Sequence, residues 1–308
     1  MKLKIFFIAF LLSLPFWWGI NYFQENLENY FYAQISQPLQ EISLVKIQEK
    51  PQKPEISLQV RSAISVKVYE KGNQKILFKE NIAKPLPIAS LTKLMTALIV
   101  LGNTPNDDFN LSNVVTISKE AADQEDVPNH GNLKKGERLR VEELLDLALI
   151  YSSNDAAFAL AEVIGVENFV GRMNQRAEIL GLENTHFVNP HGLDPDELHY
   201  ESSVINYFNH SSAKDLVKLS RYILKEHPLI FEISRKEPFY LIKDGIFDLF
   251  LTQEVVGGKT GYTDEAGGCI LFLFRNERGS IFINLILGAP SASARITEMQ
   301  KLIDWLNQ

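Results

Sequence analysis

The amino-acid sequence predicts an α+β fold, in which a five-stranded antiparallel sheet is flanked by helices and accompanied by a mostly helical lobe. Two strand-like segments stand near the start of the folded region and three near its end, and helical patterns fill the sequence between them. This order indicates one sheet that the chain leaves and later re-enters. A site between the sheet and the helical lobe would draw residues from both.

The first two strands form a predicted hairpin. Residues 63–69 alternate apolar and polar side chains, residues 71–74 favour a turn, and residues 76–78 are apolar again. The last three strands are predicted at Val255 to Tyr262, Cys269 to Arg275 and Ile281 to Leu287, with a turn at residues 276–279.

Helical periodicity is clearest after Ser90, where apolar residues recur at three- and four-residue spacing as far as Ile99. We therefore expect a helix that begins at Ser90 and places one apolar stripe against the core. Further helices are predicted at Val141 to Tyr151, Asp155 to Ile164, Glu167 to Leu180, Ser212 to Lys225 and Arg295 to Leu306.

The N-terminal residues have the pattern of a membrane segment. Lys2 and Lys4 precede an apolar run that continues to Ile20, and aromatic residues extend it to Phe23. Because a signal peptidase site requires small residues that are missing here, we expect residues 1–23 to be an uncleaved signal anchor, with a cleaved signal peptide as the alternative. In either case the remainder is exported, and membrane attachment depends on the N-terminus alone.

Residues 24–58 are polar and contain Pro38, Pro51 and Pro54 together with a charged run. Proline and charge at this density favour an extended tether over a packed element. The folded domain is therefore predicted to span residues 59–308.

The composition excludes several functions. The net charge is -7 and no long block of lysine or arginine is present, so that we expect no nucleic-acid partner. The single cysteine, Cys269, lies in an apolar run and is predicted to be a buried core thiol. His186, His191 and His199 show no spacing typical of metal ligands, so that loop or capping roles are expected and no metal site.

The stretch Pro87 to Met95, PIASLTKLM, contains Ser90 followed three residues later by Lys93. A serine hydroxyl is a weak nucleophile near neutral pH and needs a base within hydrogen-bond reach. Residues at i and i+3 on a helix are neighbours, so that Lys93 could be this base if it is neutral. Free N–H groups at the helix start would stabilise the oxyanion formed when Ser90 attacks a carbonyl.

Ser-x-x-Lys alone is weak evidence, because a chain of this length holds about one by chance. Two others occur, at Ser43 to Lys46 and at Ser211 to Lys214, and both are interpreted as solvated polar pairs. Ser90 differs because Ser152-Ser153-Asn154 follows in a break between helices and Lys259-Thr260-Gly261 follows on a predicted strand. This ordered trio of motifs is typical of class A β-lactamases and penicillin-binding proteins.

Over about residues 59–308 the sequence resembles the D-alanyl-D-alanine carboxypeptidases, the low-molecular-mass penicillin-binding serine peptidases. Besides the trio, the resemblance rests on the segments SSNDAAFALAEVIG, FVGRMNQRAEILGLENTHFVNPHGLD and GGKTGYTDEAGGC. It implies the fold of the serine β-lactamases and penicillin-binding proteins, in agreement with the pattern of strands and helices. Ser153 departs from the family pattern, since many members have glycine at that position.

The resemblance also implies catalytic roles. Ser90 would be the acylated nucleophile and Lys93 its general base. Ser152 would relay a proton to the leaving amine, and Asn154 would hold both the substrate amide and Lys93.

The strand motif would then bind substrate. Lys259 would lower the pKa of Lys93 by its charge and attract the terminal carboxylate of the peptide, which Thr260 would hydrogen-bond. Gly261 would let the substrate lie against the strand as an added edge. The backbone N–H groups of Ser90 and Tyr262 would form the oxyanion hole.

The implied reaction removes the terminal D-alanine from peptidoglycan stem peptides ending in D-Ala-D-Ala, without metal or organic cofactor. β-Lactams would be inhibitors, and the enzyme would lie in the bacterial cell envelope, anchored to the cytoplasmic membrane. Three alternatives stay open: a DD-endopeptidase acting on cross-links, a β-lactamase, and a non-catalytic wall-binding module. The β-lactamase is disfavoured because no Glu-x-x-Leu-Asn stands between the second and third motifs, and the wall-binding module because Ser90, Lys93 and Lys259 are intact.

Overall fold

The protein divides into two compact units, Met1–Gln52 and Lys53–Gln308. They are seen in a computed structural model, which describes residues 2–35, 54–102, 109–124, 132–198, 207–236 and 254–308.

The first unit contains one long helix, α1 (Lys2–Ile35), with Pro15 inside it. Its segment Phe6–Phe31 is long and apolar enough to cross a membrane, judged by length and composition. The sequence predicts a tether from residue 24, but α1 continues to Ile35, because residues 24–35 contain no proline or glycine that would end a helix. Residues 36–53 of the predicted tether lie outside the described part of the chain.

The strands of the described residues all belong to the second unit. In chain order they are β1 (Ser62–Val68), β2 (Gln74–Glu80), β3 (Leu86–Pro87), β4 (Val114–Thr116), β5 (Arg138–Arg140), β6 (His210–Ser211), β7 (Glu254–Thr263), β8 (Gly267–Arg275) and β9 (Ile281–Ala289). Five of them form the predicted antiparallel sheet, in the order β2-β1-β9-β8-β7. The chain thus leaves the sheet after β2 and returns at β7, which lies at an edge. β3 pairs with β6 and β4 with β5 in two small ribbons that the sequence pattern did not predict.

The helices of the second unit are α2 (Lys93–Leu101), α3 (Lys119–Ala122), α4 (Val141–Ile150), α5 (Asn154–Glu162), α6 (Val166–Ile179), α7 (Ala213–Glu226), α8 (Leu229–Ser234) and α9 (Ala294–Asn307). Two short 3-10 helices, at Ala89–Thr92 and Pro195–Glu197, accompany them. The predicted helices are present to within one or two residues, except that the helix expected from Ser90 begins at Lys93. The six-residue α8 was not predicted, because it is too short to show periodicity.

The sheet divides the core into two layers, because successive residues of a strand point to opposite faces. On β8, Ile270, Phe272 and Phe274 pack against the apolar stripe of α9, whereas Leu271 and Leu273 join the large cluster that contains α2 and α4–α8. Each such side chain, when fully buried, stabilises the fold by roughly 1.5–3 kcal/mol.

Cys269 belongs to the same large cluster and is fully buried, as its apolar sequence context predicts. Burial raises the pKa of its thiol to about 11. A thiol with so high a pKa holds almost no thiolate near neutral pH, and Cys269 is therefore an unreactive part of the core.

Candidate active site

The three sequence motifs converge between the edge strand of the sheet and the helical lobe. Ser90 lies in the 3-10 helix that precedes α2, and Lys93 is the first residue of α2. Ser152 and Asn154 lie where α4 gives way to α5, and Lys259 lies on β7. The hydrogen bonds described below form two groups, one that joins Ser90 and Asn154 to Lys93 and one that joins Ser152 to Lys259.

Ser90 does not begin an α-helix, contrary to the expectation from apolar periodicity. The residues Ala89–Thr92 form a 3-10 helix, and Ala89 has a positive φ of 45°. In a 3-10 helix the side chains at i and i+3 lie one above the other, so that the tighter turn still brings Lys93 over Ser90. The Lys93 Nζ to Ser90 Oγ distance is 3.0 Å, a hydrogen bond.

Lys93 is fully buried, with a relative exposure of 0%. Its Nζ also donates to Asn154 Oδ1 at 2.5 Å and to the backbone carbonyl of His191 at 3.0 Å. A neutral amine has two N–H bonds and one lone pair. When Asn154 and His191 accept those two N–H bonds, the lone pair is directed at the Ser90 hydroxyl, which is the arrangement that a general base requires.

Ser152 and Lys259 form a second group of hydrogen-bonded side chains in the cleft, beside Ser90 and Lys93. Lys259 Nζ donates to Ser152 Oγ at 2.8 Å and to the backbone carbonyl of Thr260 at 3.0 Å. Ser152 has a φ of 64°, in the left-handed region that non-glycine residues seldom adopt. Of the described residues other than glycine, only Asn81, Ala89 and Ser152 have positive φ, and two of these three border the cleft. Such strain is concentrated at functional sites.

The structure accounts for serine at position 153, where many family members have glycine. Its φ of -57° needs no glycine, and its Oγ accepts a hydrogen bond from Ala156 N at 3.1 Å. Ser153 is thus the N-cap of α5, the position that serine favours. It fixes the start of the helix on which Asn154 lies.

Lys259 is 3% exposed and has Lys93 and Arg295 as cationic neighbours. Burial first, and then the charges of Lys93 and Arg295, hold the pKa of Lys259 well below that of an exposed lysine. When two lysines lie close together, the positive charge of each disfavours that of the other, and one of the two amines is more readily kept neutral. A carboxylate bound here would gain the attraction of the remaining positive charge.

At Gly261 the backbone of β7 passes directly beside Ser90, the predicted nucleophile. A Cβ placed on Gly261 would lie 2.9 Å from Ser90 N, closer than side chains tolerate. Tyr262 follows with 44% of its side chain exposed, and its hydroxyl donates to Asp264 Oδ1 at 3.2 Å. Thr260 is half-buried between Lys259 and Gly261.

Two further residues that no motif identified hold this strand. Arg295, near the start of α9, donates from Nη1 to the carbonyl of Gly261 at 2.8 Å. Asp194 accepts from Thr263 Oγ1 at 2.8 Å and from the backbone N–H of Glu265 at 3.1 Å. Burial raises the pKa of Asp194, against the lowering by these two hydrogen bonds. Asp194 ends the segment FVNPHGLD that carries the family resemblance, and this was the only sequence signal for it.

The loop Asn189–Leu193 forms the floor of the cleft below Lys93. His191 is fully buried, its ring stacks on Phe158 with centroids 6.2 Å apart, and burial followed by the Lys93 charge holds its pKa well below the ordinary range. The predicted loop role therefore applies to His191, whose backbone carbonyl contacts Lys93. His199 lies outside the described residues. Among the residues described, no group of three or more His, Cys, Asp or Glu side chains could hold a metal ion.

The Ser-x-x-Lys motif at Ser211 to Lys214 was expected to be a solvated polar pair. For Ser211 this expectation is wrong. Ser211 is fully buried, and its hydroxyl lies 2.7 Å from Thr185 Oγ1. Lys214 is directed elsewhere, toward Glu183 at 3.7 Å. Buried polar groups form hydrogen bonds with each other, and Ser211 is therefore a buried structural residue that is not paired with the lysine of its motif. Ser43 to Lys46 lies outside the described residues.

Comparison with known proteins agrees with this geometry. The sequence model of the family described as D-alanyl-D-alanine carboxypeptidase, peptidase S11, matches residues 47–291. The D-alanyl-D-alanine carboxypeptidase DacF of Bacillus subtilis (strain 168) is 32% identical over 257 residues. That alignment covers 82% of this chain and 63% of the relative, so that the chain spans less than two thirds of the length of DacF.

Solved structures of penicillin-binding proteins have the same fold. A peptidoglycan synthesis regulatory factor (PBP3) from Streptococcus pneumoniae superposes with a TM-score of 0.71 at 29% identity, over 82% of this chain and 77% of that one. Penicillin-binding protein D2 from Listeria monocytogenes, in a cefotaxime-bound form, gives a TM-score of 0.66 at 29% identity, over 83% of this chain and 100% of that one. The predicted α+β fold is thereby confirmed. Since the family model covers well over half of the chain, this protein belongs to the D-alanyl-D-alanine carboxypeptidase family of serine peptidases.

Proposed function

We propose that this protein is a serine-type D-Ala-D-Ala carboxypeptidase, which removes the terminal D-alanine of peptidoglycan stem peptides through an acyl-enzyme on Ser90. The observation that carries the proposal is the 3.0 Å hydrogen bond between Lys93 Nζ and Ser90 Oγ inside a buried cluster that also contains Asn154. Membership of the family supports the same activity.

Acylation begins when the Ser90 hydroxyl gives its proton to Lys93 Nζ while Oγ attacks the carbonyl carbon between the last two D-alanines. The backbone N–H groups of Ser90 and Tyr262 stabilise the oxyanion that forms. The C–N bond then breaks, and the proton passes to the departing amine, with Ser152 as the relay. The support for this role is that the Ser152 hydroxyl accepts a hydrogen bond from Lys259 Nζ, 2.8 Å away, and could pass on a proton within the same cleft.

Deacylation returns the enzyme to its starting state. A water molecule gives one proton to Lys93 and attacks the ester carbonyl, and the Ser90 hydroxyl leaves with that proton. Asn154 keeps Lys93 in place throughout, since its Oδ1 lies 2.5 Å from Nζ, and its amide N–H groups can bind the substrate amide. The products are D-alanine and a stem peptide shortened by one residue.

Recognition of the substrate is assigned to β7. Lys259 and Thr260 bind the terminal carboxylate, the first through charge and the second through its hydroxyl. Gly261 allows the peptide to lie against the strand, because its lack of a Cβ keeps the backbone of β7 beside Ser90. The partners of the protein are therefore stem peptides ending in D-Ala-D-Ala, and β-lactams as acylating inhibitors.

Localisation to the cell envelope follows from this substrate. The apolar segment Phe6–Phe31 supports a membrane anchor at the N-terminus, by its length and composition. The catalytic domain, residues 59–308, would then lie outside the cytoplasmic membrane. A cleaved signal sequence would have the same composition. The two cases are distinguished by the mass of the protein recovered from the membrane fraction and from the secreted fraction of the native host.

We expect the affinity for substrate to depend on pH through Lys259. Because the pKa of Lys259 is lowered, Lys259 loses its charge at a lower pH than an exposed lysine, whose pKa is about 10.4. The KM for a peptide ending in D-Ala-D-Ala should therefore rise as the pH increases from 7 toward 10. Steady-state kinetics across this range measure the effect.

Lys259→Gln is the control for that measurement, since it removes the charge at every pH. Its KM should be high and nearly independent of pH. A KM of the original protein that stays constant up to pH 10 would show that Lys259 does not bind the carboxylate as an ammonium.

The experiment that tests the activity mixes the full chain, solubilised in detergent, with benzylpenicillin and follows the protein mass over time. We expect a long-lived adduct of one penicillin per chain, absent from Ser90→Ala, together with release of D-alanine from a stem peptide. Penicillin consumed without a lasting adduct would indicate a β-lactamase instead. If the protein forms no adduct and consumes no penicillin, the proposed function is contradicted. Cleavage of cross-linked dimers alone would indicate an endopeptidase.

A further inference from the structure

We infer that Asn209 is a positioning residue for the general base, acting on Lys93 through the loop Asn189–Leu193. The inference rests on the proposed function, because it assumes that Lys93 takes the proton of Ser90. Asn209 belongs to none of the three motifs, and it precedes β6 in the chain. Its side chain is 3% exposed and forms hydrogen bonds with the loop and with Thr92.

The Asn209 amide binds the start of the loop on both of its sides. Its Oδ1 accepts from the backbone N–H groups of Val188, at 2.7 Å, and of Asn189, at 3.1 Å. Its Nδ2 lies 2.9 Å from the carbonyl of Asn189 and 3.0 Å from Asn189 Oδ1. One buried amide therefore fixes both the backbone and the side chain of Asn189.

Asn189 in turn shapes the loop that reaches Lys93. Its Oδ1 accepts from Gly192 N at 2.6 Å and from His191 N at 3.3 Å, which folds residues 189–192 into a tight turn. The turn directs the carbonyl of His191 at Lys93 Nζ, 3.0 Å away. Asn209 is thus connected to Lys93 through the side chain of Asn189 and the backbone carbonyl of His191.

Asn209 also holds the segment that carries the nucleophile and the base. Its Nδ2 lies 2.9 Å from Thr92 Oγ1, and Thr92 directly precedes Lys93. Its backbone carbonyl accepts from Ile88 N at 3.2 Å, two residues before Ser90. The same residue therefore connects the loop below the base with both ends of the 3-10 helix above it.

This connection matters for the chemistry because the His191 carbonyl accepts one of the two N–H bonds of neutral Lys93. If the loop shifts, the amine can rotate, and its lone pair no longer faces the Ser90 hydroxyl. Proton transfer then slows, while the binding of substrate on β7 is unaffected. A positional error of about 1 Å at such a site can lower the rate roughly 100-fold.

The test compares three variants of the full chain in detergent with the original protein. Asn209→Ala removes the whole amide, and Asn209→Asp keeps the acceptor but loses the Nδ2 donor. Asn284→Ala is the matched control, because Asn284 is an equally buried amide of the sheet, bound to Ser65 Oγ at 2.8 Å and remote from the loop. For each, the noncovalent affinity for benzylpenicillin and the acylation rate constant are measured separately, together with the melting temperature.

We expect both Asn209 variants to lower the acylation rate constant at least tenfold with less than a twofold change in noncovalent affinity. Asn284→Ala should change the rate constant less than twofold, whatever its melting temperature. In a background of Asn189→Ala, the further change Asn209→Ala should lower acylation by a smaller factor than it does in the original protein, because only the connection through Thr92 is then left to lose.

Acylation by Asn209→Asp or Asn209→Ala at a rate within twofold of the original would overturn the inference. So would an equal loss in Asn284→Ala, which would assign the effect to general destabilisation. Thr96 Oγ1 also binds the loop, at the Pro190 carbonyl, 2.5 Å away, and we therefore expect the variants to fold. If Asn209→Ala is not recovered, the isosteric Asn209→Asp decides by the same criterion. Failure of the proposed function is distinguishable, since the original protein would then form no adduct at all.

Discussion

Lys93→Met is expected to lower the rate of acylation by penicillin about 1000-fold, within the range that general-base catalysis supplies. Methionine has nearly the same length as lysine and suits the fully buried site, so that the fold should be retained. The loss arises because Ser90 then has no acceptor for its proton at 3.0 Å. Time-resolved mass spectrometry of the adduct measures the rate.

Lys214→Met is the matched control for this prediction. Lys214 is the lysine of the other described Ser-x-x-Lys motif, but its Nζ contacts only the surface carboxylate of Glu183 among the ion pairs described. Its substitution should leave acylation within twofold of the original rate, since exposed ion pairs contribute little to stability. Equal rates for Lys93→Met and the original protein would mean that another group deprotonates Ser90.

The fold was predictable from sequence wherever periodicity was regular. The hairpin β1-β2 and the strands β7–β9 alternate or are continuously apolar, and their grouping at the two ends of the domain determined the single sheet. The three motifs were also found, because each is a short pattern of specific residue types. What the pattern could not provide was the distance between them, which depends on tertiary packing.

The 3-10 helix at Ala89–Thr92 shows where local reasoning failed. Apolar spacing continues smoothly from Leu91 to Ile99, and it predicts one helix from Ser90. Ala89, the residue before that predicted start, has a positive φ, and Gly192 lies so close to it that a Cβ on Gly192 would be 2.0 Å from the Ala89 carbonyl oxygen. A residue more than 100 positions away in the chain thus packs against the backbone beside the proposed nucleophile, and such a contact cannot be predicted from sequence periodicity.

Asn209, Asp194 and Arg295 were missed for a related reason. Each is an ordinary polar residue without a motif, and each acts by a side-chain hydrogen bond to the backbone of another segment. Asn209 binds the loop below Lys93, Asp194 binds the turn after β7, and Arg295 binds Gly261. The motifs identify the residues proposed to react with or bind the substrate. Asn209, Asp194 and Arg295 instead position the backbone segments to which those residues belong.

Because β7 lies so close to Ser90, we expect a second large effect from a substitution on this strand. Gly261→Ala should lower the acylation rate roughly 100-fold and destabilise the fold by about 1–3 kcal/mol. The new Cβ would lie 2.9 Å from Ser90 N, 3.1 Å from Ala89 Cβ and 3.2 Å from the Ile88 carbonyl oxygen. Two of these three are backbone atoms, so that relief requires β7 and the 3-10 helix to separate. That separation moves the two N–H groups proposed to stabilise the oxyanion, those of Ser90 and Tyr262, apart from each other.

Gly171→Ala provides the comparison, because a Cβ on Gly171, within α6, would meet nothing within 4 Å. Alanine in a helix interior is favoured over glycine, and this variant should gain up to about 1 kcal/mol while it acylates at the original rate. Unfolding curves and adduct formation for the two variants separate stability from chemistry. If Gly261→Ala were destabilised and yet acylated at the original rate, the oxyanion would have to be stabilised by donors other than Ser90 and Tyr262.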